Sequence, residues 1–192
     1  NQFDQFQNAL LLESVSKNTY SINPDSRYFV GKTPHGGYLN ALMHKALISS
    51  VPHSVAISSS IQYLDRIEAK DIILEVEIFK VSRGTSSGAV KLIQDNKICT
   101  VFNAICSDFE HMKGYDGLET NSPEIMKEIP RDKYKDLNYD KISPGLTPSF
   151  IHQLSCTVHP RHAWWDRDID IHEAEARCSS YRRFQTQDLQ RL

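Results

Sequence analysis

The sequence predicts an α+β fold in which an antiparallel sheet wraps around one long central helix. Three observations carry this expectation. The run YLNALMHKALISSV after Gly36-Gly37 repeats apolar residues at helical spacing. Several later stretches alternate apolar and smaller or polar residues with a period of two. The breaks between those stretches are short turn sequences, as in hairpin-connected strands. An antiparallel sheet has one face that needs cover, and a single apolar helix can supply it.

In chain order, residues 2–9 come first, with Phe3, Phe6 and Leu10 spaced for one face of a short helix. Residues 11–30 are rich in apolar and aromatic side chains and are broken by the turn cluster Asn23-Pro24-Asp25-Ser26. A hairpin is expected there, with one strand through 15–22 and its partner at 27–30. Next is the central helix, where Leu39, Leu42, Met43, Ala46 and Leu47 recur at helical spacing. Ala, Leu, Met and Lys favour helix, and Pro52 closes the segment because the residue before a proline avoids helical dihedrals. An antiparallel meander of about four strands follows. It comprises the alternation from Val55 to Tyr63, that from Ile72 to Phe79, the run 87–94, and the apolar run 98–107. Ser82-Arg83-Gly84-Thr85 and Asp95-Asn96-Lys97 are its turns.

Residues 108–147 are dominated by Gly, Pro, Asp, Lys and Asn, with one short helical stretch near 123–128. The chain becomes strand-like again from Phe150 through Val158. The expected organisation is one folded unit at 1–110, a linker at 111–147 and a partial second unit at 148–192. Such a partial unit buries little area alone, so it is expected to lean on the first unit or on another chain.

Among 192 residues, 40% are hydrophobic and 24% charged, enough for a packed core. The net charge of -2 argues against a general nucleic-acid binder, which should be basic. No stretch approaches the roughly 18 apolar residues of a membrane span, and the start NQFDQFQNAL has no signal-peptide pattern. The four cysteines (Cys99, Cys106, Cys156 and Cys178) include no CxxC pair, and reduced thiols in a cytoplasmic protein are expected. No cofactor is expected.

Two stretches resemble the TesB-like (type II) acyl-CoA thioesterases. TPHGGYLNALMHKAL is similar to the family's Gly-Gly turn leading into a central helix. VSRGTSSGAVKLIQDNKICTVFNAICSDFE is similar to its Arg-x-Gly-x-Ser turn, its strand reaching a Gln, and its last strand ending in an aromatic. DFEHMKG resembles the exit into the linker, and SYRRF resembles the aromatic-Arg strand before a second helix. The resemblance implies a hotdog fold, an acyl-CoA substrate and two hotdog units in tandem. It also implies that the principal catalytic Asp, Thr or Ser, and Gln lie in the second unit. The sequence stops before that unit's helix, so none of the three is carried over.

Within the first unit, His35-Gly36-Gly37 is the leading candidate. Glycines let backbone approach a ligand, and a helix N-terminus offers unpaired N–H donors for the negative charge a thioester carbonyl develops. Single-unit hotdog thioesterases with an HGG sequence resemble this arrangement, and they place a carboxylate about two turns further on. Here that neighbourhood holds Asn40 and His44, which are i, i+4 neighbours. His44 is the candidate general base, with an ordinary pKa near working pH. Ser59, within Ser58-Ser59-Ser60, and Asn103 are candidates to orient the water. His35, Tyr38, Tyr63 and Arg83 are candidates for holding substrate, and the basic groups, Arg66 beside Asp65 at a strand end and Arg83 at a turn, are candidates to meet CoA phosphates at a pocket mouth.

The bland alternatives are a plain glycine turn, a core histidine, small residues for close packing, and exposed turn charges. His159, His162 and His172 with Asp166, Asp168 and Asp170 are read as solvated or strand-face groups, not as a metal site. The expected activity is thioester hydrolysis. A non-catalytic acyl- or partner-binding role and an enoyl-CoA hydratase or dehydratase are the alternatives. An open sheet edge makes a homodimer or higher homo-oligomer the expected assembly.

Overall fold

The computed structural model describes residues 2–112, 114, 130–137, 145, 147–160 and 180–184. The chain divides into two units. One is Asp4–Gly114, and the other is Tyr115–Leu192 together with Asn1–Phe3.

The larger unit has the expected helix-on-sheet layout. Its strands are β1 (Glu13–Ser16), β2 (Thr19–Ile22), β3 (Phe29–Val30), β4 (Thr33–Pro34), β5 (Val55–Tyr63), β6 (Ile72–Val81), β7 (Ser86–Gln94) and β8 (Lys97–Ser107). Helix α1 spans Gln2–Ala9 and the central helix α2 spans Gly36–Ile48. Six strands form one sheet in the order β1-β2-β6-β7-β8-β5, all pairs antiparallel, while β3 and β4 form a small separate ribbon.

Helix α2 begins where His35 caps it. The His35 Nδ1 accepts the Gly37 N–H at 3.1 Å, satisfying one of the donors a helix start leaves open. Leu39, Leu42, Met43 and Leu47 are all buried on α2, against a core that includes Leu74, Val90, Leu92 and Phe102 from the sheet. Each such side chain contributes about 1.5–3 kcal/mol by leaving water, so packing holds α2 more than helix propensity does. Gly88 permits a close approach: a Cβ there would stand 2.9 Å from Leu47 Cδ1 and 2.7 Å from the Glu77 carbonyl oxygen.

Two expectations are corrected here. The first hairpin turns at Lys17-Asn18, inside the stretch expected as one strand, with Asn18 at φ 60°. The cluster at Asn23–Ser26 instead starts a short 3₁₀ turn capped by the Asp25 side chain. An Asn in the left-handed region closes a hairpin as well as a glycine-bearing signal does, and that was the overlooked cue.

Second, β5 does not lie beside β6. It crosses to the far edge, next to β8. The crossover is pinned locally. The N–H groups of Leu64 and Asp65 both donate to the Cys99 carbonyl, at 2.8 and 3.0 Å. The buried Gln94 amide accepts from Glu68 N–H at 2.8 Å and donates to the Glu68 and Lys70 carbonyls. A period of two marks a strand but not its neighbour. The expected turn at Asp95-Asn96 is present, with φ of 50° and 61°, the paired positive values of a type I′ hairpin.

In the smaller unit, β9 (Lys135–Asp136), β10 (Leu154–Val158) and β11 (Ser180–Phe184) form an antiparallel sheet in the order β11-β10-β9. Strand β9 falls inside the stretch expected as linker and pairs with Thr157 and Val158. A 3₁₀ turn at Ser149–Gln153 precedes β10, so that strand starts later than expected. The short helix expected near 123–128 lies outside the described residues. Cys99 and Cys106 are free and buried and Cys156 is buried, while Cys178 lies outside the described residues. Among the described residues, no helix is long and apolar enough to cross a membrane.

Candidate functional site

Three strands and α2 build the candidate site from rows of cross-strand partners. One row is Leu92–Thr100–Tyr63, the next is Val90–Phe102–Ile61, and the next is Gly88–Ala104–Ser59. Gly88 lies under Leu47, so these rows run along the helix-facing side of the sheet.

At the start of α2, the Tyr63 hydroxyl donates to the Gly36 carbonyl at 2.7 Å, tying the end of β5 to the glycine turn. Burial raises the Tyr63 pKa, so its proton stays in that bond. Of the turn's backbone donors, Gly37 N–H is taken by His35, and Tyr38 and Leu39 N–H both donate to the His35 carbonyl. The Gly36 N–H has no partner among the described residues. The oxyanion role expected of both glycines is therefore open at Gly36, and at Gly37 only after the His35 ring moves away.

Further along α2, Asn40 Oδ1 and His44 Nε2 are sealed from solvent, and neither has a hydrogen-bond partner among the described residues. An unsatisfied buried polar atom costs about 1–3 kcal/mol. The His44 ring meets Phe102 edge-on, with centroids 6.4 Å apart. Burial depresses the His44 pKa, so the ring stays neutral and able to accept a proton to lower pH than usual. Thr100 Oγ1 is a third unpartnered buried atom, on the row that carries Tyr63. Sequence reasoning missed Thr100. The available signal was that it is the lone hydroxyl in the inward series Thr100, Phe102, Ala104, Cys106.

Other expected residues are placed elsewhere. Ser59 pairs with Ala104 on the helix side, whereas Asn103 pairs with Ser60. Adjacent strand residues face opposite sides, so the register sets Ser59 and Asn103 on opposite faces of the sheet. Ser58, Ser59, Ser60, Asn103, Phe79 and Ile105 all border a shallow groove of about 270 Å³. Tyr38 is buried with its hydroxyl fully used, donating to the Ala9 carbonyl at 2.7 Å and accepting from Asp25 N–H at 3.1 Å. Burial pushes its pKa up to about 12, so Tyr38 holds the fold together and does not face a ligand. Arg83 sits in the β6–β7 turn, where β5 begins, at the opposite end of β5 from Tyr63 and Gly36. The cation beside the glycine turn is Arg66, whose Nε donates to Thr33 Oγ1 at 2.8 Å. His159 is buried in the smaller unit. The other members of that His/Asp group, at 162, 166, 168, 170 and 172, lie outside the described residues.

A sheet of this strand order closed over a single helix with a glycine-led N-terminus is a hotdog unit. Residues 24–107 match the model of the acyl-CoA thioesterase N-terminal domain. Solved structures share the fold. A candidate thioesterase II from Thermobifida fusca YX superposes with a TM-score of 0.68 at 18% identity, covering 82% of this chain and 57% of that one. A hotdog-fold protein of unknown function from Alicyclobacillus acidocaldarius gives 0.68 at 16% identity, covering 85% and 58%. An acyl-CoA thioesterase II from Mycobacterium marinum gives 0.55 at 14% identity, covering 82% and 51%. The chain thus spans just over half the length of these structures. No curated protein matches it.

Proposed function

We propose that this chain acts in the hydrolysis of an acyl-CoA thioester, giving free fatty acid and CoA. Water would attack the thioester carbonyl, and the Gly36 N–H would hold the oxyanion. His44, kept neutral by burial, would take the proton from the water and return it to the departing CoA thiolate. Asn40 and Thr100 would position the water, and Arg66 would meet the CoA phosphates. The acyl chain would run along α2. The observation that carries this reading is a helix start whose Gly36 N–H has no partner among the described residues, on a helix that also holds the buried Asn40 Oδ1 and His44 Nε2, likewise unpartnered among those residues.

The test is thiol release from short-, medium- and long-chain acyl-CoAs, comparing wild type with Gly36→Ala and Gly36→Pro. Both variants add a Cβ that crowds the Tyr63 hydroxyl at 2.9 Å, but only proline removes the N–H. Gly36 is the first helical residue, where proline is tolerated. Losing one oxyanion donor typically lowers kcat by about 10²–10³, so Gly36→Pro should fall well below Gly36→Ala. Equal activities would refute the donor role.

A second reading is non-catalytic acyl-CoA binding. It is favoured by the capping of Gly37 N–H by His35 and by the match to an N-terminal domain of a longer architecture. Saturable binding of a non-hydrolysable acyl-CoA without turnover would establish it. For assembly, edge strand β5 reads VAISSSIQY, with no charge and no proline to deter pairing. We expect a second hotdog to extend the sheet there as a homodimer, checked by sedimentation. Free buried thiols support a reducing compartment such as the cytoplasm, and the substrate class supports a place in fatty acid metabolism.

A further inference from the structure

At the end of the sheet where β5 begins, His53, Asp108 and His111 converge. One ligand atom from each lies within 4.8 Å of the others. They come from three places in the chain: the loop after α2, the residue after β8, and the 3₁₀ turn Phe109–His111. Two of the three are already oriented by neighbours. His53 is buried, and its Nδ1 meets Ser86 Oγ at 2.6 Å. Asp108 Oδ1 accepts both the backbone N–H and the hydroxyl of Ser54, at 2.9 and 2.8 Å. That leaves Oδ2 facing His111 Nδ1 at 4.0 Å.

We propose that these residues bind one divalent cation of the zinc class. Two imidazoles and one carboxylate form a donor set suited to such borderline ions. In the tautomer whose Nδ1–H donates to Ser86 Oγ, His53 offers Nε2 to the ion, the arrangement of most metal-bound histidines. Donors about 2.0–2.1 Å from a tetrahedral ion stand roughly 3.3 Å apart. The Arg83 carbonyl oxygen already lies 3.3 Å from His53 Nε2, which makes it a fourth donor at the right spacing. The His111–Asp108 gap must close by about 0.7 Å, and His111, on a partly exposed 3₁₀ turn, is free to make that move. The bound ion would fasten the β6–β7 turn, the entry to β5 and the exit from β8 to one point.

The experiment strips the full chain with chelator and titrates it with Co²⁺, then competes with Zn²⁺. It follows visible d–d absorption and the thermal midpoint, with His111→Ala and Asp108→Asn alongside. Both altered side chains are partly exposed, and Asn can still accept from Ser54, so circular dichroism should show the variants folded. The expected result is one equivalent of tetrahedral Co²⁺, a raised midpoint, and at least about a tenfold loss of affinity in each variant. The chain has eight histidines, so binding that is equally tight in both variants would assign the ion to other residues and overturn the proposal. No saturable binding by the wild type would overturn it as well.

Discussion

Replacing Gly88 with Ala tests how tightly α2 is seated on the sheet. In a strand interior, glycine to alanine should stabilise by about 0.4–1 kcal/mol, because alanine restricts the unfolded chain. Here the new Cβ would lie 2.7 Å from the Glu77 carbonyl oxygen and 2.9 Å from Leu47 Cδ1. The leucine tip can rotate away, but the Glu77 oxygen is backbone of β6 and retreats only if the strand moves. Overpacking of this kind costs about 1–3 kcal/mol, so the net change should be a destabilisation of about 1–2 kcal/mol. At about 2–4 °C per kcal/mol for a chain this size, the thermal midpoint should fall by roughly 2–8 °C. Circular dichroism melts read this directly. Adding Leu47→Ala should relieve part of the clash, so the double variant should be less destabilised than the two single changes summed, by at least about 0.5 kcal/mol. An unchanged or higher midpoint for Gly88→Ala would refute the close-contact reasoning. His44 lies about one turn before Leu47, so a lifted helix should also lower any turnover.

Further expectations concern the site and the acid response. Tyr63→Phe removes the bond to Gly36 and should change stability by only about 0.5–1.5 kcal/mol, while lowering kcat if that bond aims the Gly36 N–H; an unchanged kcat would remove Tyr63 from the site. Since burial depresses the His44 pKa, kcat/KM should fall with decreasing pH only below the ordinary histidine range, and His44→Gln should abolish that limb along with most activity; an unaltered limb would exclude His44 as the base. The same burial gives a stability trend: the unfolded chain takes up the His44 proton first, so stability should drop as pH falls from the ordinary histidine value through the lowered folded one, and His44→Gln should lessen the drop in urea melts. The hydrogen-bonded Arg27 guanidinium holds the Asp25 carboxyl below its usual value, so its stabilisation is present above that value and lost as pH falls through the lowered one; Asp25→Asn should be less stable at neutral pH and show a flatter acid limb.

The central helix and the four long strands were legible in the sequence because each has a local cause. Apolar spacing marks α2, Pro52 ends the segment, alternation marks β5 to β8, and Asp95-Asn96 marks a turn. Topology was not legible in the same way. The placement of β5 beside β8 rests on Gln94 and Cys99 gripping the crossover, and such long-range bonds leave no periodic trace. The same holds for the site. His35-Gly36-Gly37 and the Asn40/His44 pair could be placed from spacing along one helix. Ser59 and Asn103 were grouped by type, without the register that sets them on opposite faces. Tyr38 looked like a ligand contact because its sequence neighbours the glycines, yet its hydroxyl is consumed by Ala9 and Asp25, more than ten residues away along the chain. Arg83 and Arg66 were alike as sequence, and only the fold tells which one stands beside the turn.

The buried cysteines among the described residues make the chain its own stability gauge. Cys106 is fully enclosed near the end of β8, and burial pushes its thiol pKa up, so an alkylating reagent reaches a reactive thiolate there only when the sheet opens. Cys156 occupies the middle of β10 in the smaller unit. Peptide-resolved alkylation over time therefore times two separate openings in one tube, the Cys106 rate for the hotdog unit and the Cys156 rate for the smaller sheet. Similar rates would mean the two units open together, and a fast Cys156 beside a slow Cys106 would mean the smaller sheet comes apart on its own.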